Sequence, residues 1–145
     1  MPVEHHILMQ EPYYVTHFKF TGEWESQDYF RAIDKSQEKR RIQFGEQLMT
    51  RPIATILDFD IAEKAKSPAL SMFASASKRS PNNMVLVVVI GNMFVKVMTN
   101  SFGRLYPKLP YELRGAKSLE EAWQIINSHI EEHGDANPSL QEGTA

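Results

Sequence analysis

Cysteine is absent from this 145-residue chain. That excludes disulfide scaffolds, thiolate metal sites and cysteine nucleophiles, and it fits a reducing compartment. Glycine and proline show no excess, at 7 and 8 residues, which is ordinary globular usage and too little for a collagen-like or low-complexity chain. Long apolar runs are missing as well. The longest, Met84 to Ile90, spans seven residues, whereas a membrane-spanning helix needs about 20. The opening MPVEHHILMQ carries an early acid, Glu4, and no small-residue cleavage site, so no secretory leader is expected. What remains is 42% hydrophobic and 23% charged in 16.6 kDa, the composition of one globular domain of ordinary size. The expectation is a cytoplasmic protein without membrane insertion, with a single domain over residues 1–133 and a flexible polar tail over 134–145.

The net charge is -2, but it is unevenly spread. Residues 1–60 carry 7 basic and 10 acidic side chains, residues 61–117 carry 9 basic and 2 acidic, and residues 118–145 carry 6 acids with no Lys or Arg. A basic middle segment can steer an acidic partner, unless the fold lays the acidic C-terminal helix against it.

Periodicity predicts an α/β chain with a mixed sheet of four to five strands covered by about four helices, in the order β-β-α-β-α-β-α-β-α. His5 to Gln10 forms a short first strand, with a turn at Glu11-Pro12. Tyr13 to Phe20 alternates, with Val15, His17 and Lys19 on one side and Tyr14, Thr16, Phe18 and Phe20 on the other, and Thr21-Gly22 ends it in a turn. Ser26 caps a helix that runs to about Phe44; Tyr29, Phe30 and Ile33 form its buried stripe, and Lys35 to Arg41 is expected to be solvated. Pro52 to Phe59 and Met84 to Ile90 read as inner strands covered on both faces. Further helices are expected over Ser67–Lys78, with Pro68 at its first position, and from Met93 to about Leu105. Tyr111 to Arg114 is a short strand, and Ser118 with Glu121 forms a capping box for a last helix ending at His133.

Chemical motifs are few. His129-Ile-Glu-Glu-His133 matches the H-x-x-E-H form of inverted zinc proteases, with both imidazoles on one helix face. A catalytic zinc needs a third protein ligand, and only twelve residues follow, so no metal is expected. Gly91-Asn92 at a strand-to-helix turn could contact an anion through backbone N–H groups, but no phosphate-binding loop motif accompanies it. Lys39-Arg40-Arg41 lacks interleaved aromatics and is surrounded by Asp34, Glu38 and Glu46, which argues against nucleic acid. In the expected third helix Phe94, Met98, Phe102 and Leu105 share one face, leaving Met93, Val95 and Val97 for a neighbouring helix, a second copy of the chain or a lipid-like ligand. No nucleophile, acid and base set is recognisable, so neither an enzyme nor a cofactor is expected.

Four stretches taken in order resemble a STAS domain, the module named for sulfate transporters and anti-sigma factor antagonists. Phe18-Lys-Phe-Thr-Gly-Glu-Trp24 is similar to the strand that ends before the family's first helix. Ile53 to Leu70 (IATILDFDIAEKAKSPAL) is similar to the strand ending in Asp, followed after eight residues by the motif that opens the second helix. Met84 to Leu105 resembles the Val-rich strand that enters the third helix through Gly. Tyr106-Pro107, a short strand and Lys117-Ser-Leu-Glu-Glu-Ala-Trp123 complete the pattern, which points to the divergent, stand-alone SpoIIAA-like group. The resemblance implies a non-catalytic regulator that binds a protein partner of the anti-sigma or kinase-like kind. Its switch would be phosphorylation at Ser67, where a helix N-terminus favours the added charge. Docking residues would be Asp58, Asp60, Lys64, Lys66, Ser67 and Ser71, with Asp60 to Lys66 as a loop. Lys66, Pro68 and Ala69 stand where the family has Asp, Ser and Gly, inverting the local charge that a kinase would read. The alternative implied by related folds is a carrier or sensor for a small molecule or lipid.

Overall fold

A computed structural model describes residues 3–45, 51–65, 83–91 and 111–133. Five strands form one sheet in the order β1-β2-β3-β4-β5: β1 (Val3–Gln10), β2 (Tyr13–Trp24), β3 (Ile53–Ala65), β4 (Met84–Ile90) and β5 (Glu112–Ala116). β1 pairs antiparallel with β2 across the Glu11-Pro12 turn, and each later strand adds in parallel to the one before it. Helix α1 (Ser26–Phe44) lies on one face and α2 (Leu119–His133) on the other. The mixed α/β sheet is thus as expected, with these two helices among the described residues. The helices expected over 67–78 and 93–105, and the tail over 134–145, lie outside them.

Strict alternation along the inner strands sorts their side chains onto the two faces. Phe18, Phe20, Leu57, Phe59, Val87 and Val89 meet Tyr29, Ala32 and Ile33 of α1. Phe20 is the hub of an aromatic group, stacked on Phe59 at 4.2 Å and packed against Trp24 and Tyr29 at 4.7 and 5.3 Å between ring centres. Tyr13, Val15, Ala54, Ile56, Leu86, Val88 and Ile90 meet Ala122 and Ile126 of α2. Being covered twice, β4 can be apolar at every position, which is why its run shows no alternation.

Four local expectations are corrected. β2 does not end at Phe20: it continues through Thr21-Gly22 to Trp24 by shifting register twice against β3, and Gly22, at φ +59°, supplies the backbone conformation that the shift requires. α1 is capped by Glu25 rather than Ser26; the Glu25 N–H donates to the Asp28 carboxylate at 2.9 Å. Asp60 to Ala65 is strand, not loop. The Lys35–Arg41 stretch is not wholly solvated, because Ser36 and Arg40 are buried. Tyr29, Ile33, Ser36 and Arg40 fall at helical spacing, so the stripe facing the sheet simply runs on into polar residues. At the other end of the chain, Ser118 caps α2 as expected, its hydroxyl accepting from the Glu121 N–H at 3.1 Å. Among the described residues no helix is long and apolar enough to cross a membrane.

Candidate functional site

Ligands of open α/β sheets gather outside the carboxyl ends of the parallel strands. Here that edge is marked by Lys19, Asp58 and Ile90, which stand in register on β2, β3 and β4. Asp58 would be costly there alone, since a buried carboxylate loses its hydration. His17 answers the charge from the same sheet face: its Nε2 donates to Asp58 Oδ2 at 3.0 Å, with the two side chains only 12% and 9% exposed. His6 lies opposite His17 on β1, ring centres 6.3 Å apart, and continues the polar strip to the sheet edge. Among the described residues no three carboxylate or imidazole groups converge as a metal site would need.

Beyond this strip, among the described residues, two strands outrun the sheet. β4 pairs with β3 only as far as Asp58, and β1 reaches only Phe20 of β2, yet β2 and β3 continue together through Thr21↔Ile61, Gly22↔Ala62, Glu23↔Lys64 and Trp24↔Ala65. Among the described residues the result is a two-stranded parallel ribbon that runs on past the carboxyl edge. Trp24 roots it, buried against Phe20 and Phe59. The chain leaves the ribbon at Ala65, beside the residue that precedes the Glu25 cap of α1.

The predicted docking residues therefore divide into three groups. Asp58 is buried and bonded to His17 rather than displayed at the surface. Asp60 and Lys64 belong to the backbone of the ribbon. Lys66, Ser67 and Ser71 lie outside the described residues. Of the anion pair, Gly91 directly follows β4 at the same edge, and Asn92 lies outside the described residues. The role of His17 was missed. Its signal was its place in the alternation of β2, polar between Val15 and Lys19 on an otherwise covered face.

A second constellation joins the first hairpin to the last helix. His129, from the His129-Ile-Glu-Glu-His133 motif, turns inward instead of toward solvent, and its Nδ1 lies 2.7 Å from the hydroxyl of Tyr13 on β2. Burial, and then the neighbouring His133, hold the His129 imidazole below its ordinary range, while Glu112 opposes them. The neutral ring accepts from Tyr13 at Nδ1 and presents Nε2 toward Glu112 at 3.6 Å. Burial and Glu112 push the Tyr13 phenol up, so it remains a donor. Glu112 and His129 reach an open groove of about 370 Å³ that Arg114, Gln124, Ser128 and Glu132 also line. Tyr13 itself is 2% exposed, so the arrangement works as a clamp and not as an exposed nucleophile.

No family model matches the sequence, and no curated protein matches it. Among solved structures, an uncharacterised protein of the DUF3478 family from Shewanella loihica PV-4, described as having a SpoIIAA-like fold, superposes with a TM-score of 0.59. The match covers 84% of this chain and 91% of that one at 13% identity. The chain has a SpoIIAA-like fold. The resemblance read from the strand and capping motifs is thus carried by the backbone, while the low identity confines the likeness to architecture. Within the SpoIIAA-like fold of this chain, the ribbon and the His17–Asp58 pair are the features to which function can be attached.

Proposed function

We propose that this chain is a non-catalytic regulatory domain that acts by binding a protein partner, in the manner of an anti-sigma factor antagonist. The ribbon and the residues that follow it form the docking surface, and Ser67 is the phosphorylated switch. The observation that carries this reading is the extension of β3 to Ala65. A docking segment that is already hydrogen-bonded loses less conformational freedom on binding than a loop would, so more of the contact energy appears as affinity. The polar groups beneath it support the same reading: His17 and Asp58 satisfy each other and hold the strand end in place. The chain leaves the ribbon two residues before Ser67, so added phosphate charge would fall close in sequence to the docking segment.

The test places a photo-crosslinking residue at Ala62 in the full chain and irradiates its native cells. One partner recovered in stoichiometric amount, retained by S67A and reduced at least tenfold in S67D, is the expected result. Equal recovery by S67A and S67D removes the switch. A chain that crosslinks to no protein, yet carries a small molecule into native mass spectrometry, replaces this function with that of a carrier.

A further inference from the structure

Arg40 sits in the second half of α1 with its side chain turned toward the sheet, and it is 2% exposed. Its Nε makes a long bond of 3.4 Å to the Ser36 carbonyl, and its Nη1 has no hydrogen-bond partner. Among the described residues no carboxylate lies within ion-pair distance of it. Burial alone pulls its guanidinium down to about 10, which still leaves it charged at neutral pH. A buried cation of this kind is normally paired. The negative end of the α1 dipole supplies at most about half a charge, and water could fill the hydrogen bond without supplying any.

Two further observations place positive charge around the second half of α1, and a third adds an unpartnered hydroxyl on the sheet face that the helix covers. Burial, and then the charges of Lys39, His6, Lys35 and Arg40, hold His5 on β1 below its ordinary imidazole range. Lys35 and Lys39, one turn apart on α1, are exposed and line a shallow groove of about 400 Å³ together with Glu38, Ile42 and Gln43. On the sheet side, Thr16 belongs to the face that α1 covers, and its buried hydroxyl also lacks a partner. Helix and groove rim thus bring three cationic side chains, Arg40, Lys35 and Lys39, against one carboxylate, Glu38, and the sheet adds a hydroxyl without a partner.

We propose that the layer between α1 and the β1–β2 hairpin binds a phosphate group, with Arg40 as its buried anchor and Lys35 and Lys39 at its entrance. A guanidinium presents its N–H groups in a fork that fits phosphate oxygens. A dianion balances the Arg and Lys charges better than a single carboxylate. The site is separate from the ribbon: Arg40 lies 15 residues along α1 from Glu25, roughly 22 Å at the helical rise.

The test titrates the full chain with inorganic phosphate and with phenyl phosphate at constant ionic strength, held by chloride, following amide chemical shifts and melting temperature. Saturable shifts in α1 and β1 are expected with both probes, and at least tenfold weaker binding in R40M. R40M keeps the volume of the side chain and removes its charge, so it should fold. Should it not, K35Q/K39Q, altered only at exposed positions, must weaken binding several-fold. Linear, unsaturated shifts up to ~10 mM phosphate, where a site of Kd about 1 mM would be nine-tenths full, overturn the proposal. So does unchanged affinity in R40M, or in K35Q/K39Q where that pair is the test.

Discussion

The Tyr13–His129 clamp makes a prediction in which size and pH dependence are linked. Replacing Tyr13 with Phe preserves the ring that packs against His129, with centres 5.6 Å apart, and deletes only the hydroxyl. The imidazole Nδ1, bonded at 2.7 Å in the wild type, then becomes a buried acceptor with its donor removed. Such a loss costs about 1–3 kcal/mol, and in a chain of this size each kcal/mol moves the melting temperature by about 4 °C. Y13F should therefore melt about 4–12 °C lower at neutral pH. The pH response follows from the lowered imidazole. Because His129 is held below its ordinary value of 6.5, the unfolded chain binds the proton first as pH falls. Its contribution to stability is full above 6.5 and is lost as pH falls from 6.5 toward the folded value. Without the Tyr13 donor the neutral ring is less favoured, so the folded value rises toward the ordinary one. The gap between wild type and Y13F should accordingly narrow on acidification. Thermal melts followed by circular dichroism at pH about 7.5 and about 5.5 read both effects. Melting temperatures within a degree of each other at both pH values, or a gap that widens in acid, would refute the reasoning.

Three other substitutions test other parts of the fold. At Gly22 an added Cβ would meet nothing within 4 Å, while φ is +59°; G22A should cost about 1–2 kcal/mol for conformational reasons alone, and G22N less, in urea denaturation. D58A removes the buried partner of His17 and should cost about 2–3 kcal/mol by the same measurement. S118A deletes the cap of α2 and should lower stability by about 1 kcal/mol, with amide exchange rising first at Glu121, whose N–H it frees.

Much of this fold could be read from periodicity because its inner strands are covered on both sides. The bounds of β4, Met84 to Ile90, are those of its apolar run, and the Ser118 cap marks the start of α2 directly. Misreadings arose where one signal served two structures. Thr21-Gly22 has the residues of a turn, yet here its positive φ serves a register shift within a continuing strand. Ser26 and Glu25 compete for the same cap, and the carboxylate of Asp28 decides between them through a bond that no pattern displays. Ser36 and Arg40 continue the inward stripe of α1, but polarity alone had assigned them to water. The candidate site was less legible than the fold. His17 and Asp58 are 41 residues apart, and only strand register brings them within bonding distance.

The order of the strands across the sheet is also their order along the chain. A sheet of this kind can be laid down as it is synthesised: a local hairpin forms first, and each new strand docks on one already present, without waiting for sequence still to come. The growing edge moves steadily away from β1, and no strand has to be inserted between two others. Yet the phenol of Tyr13, in that first hairpin, finds its acceptor 116 residues later on the final helix. The nascent sheet thus carries an open bond from its second strand until α2 arrives, so a segment made late completes one made early.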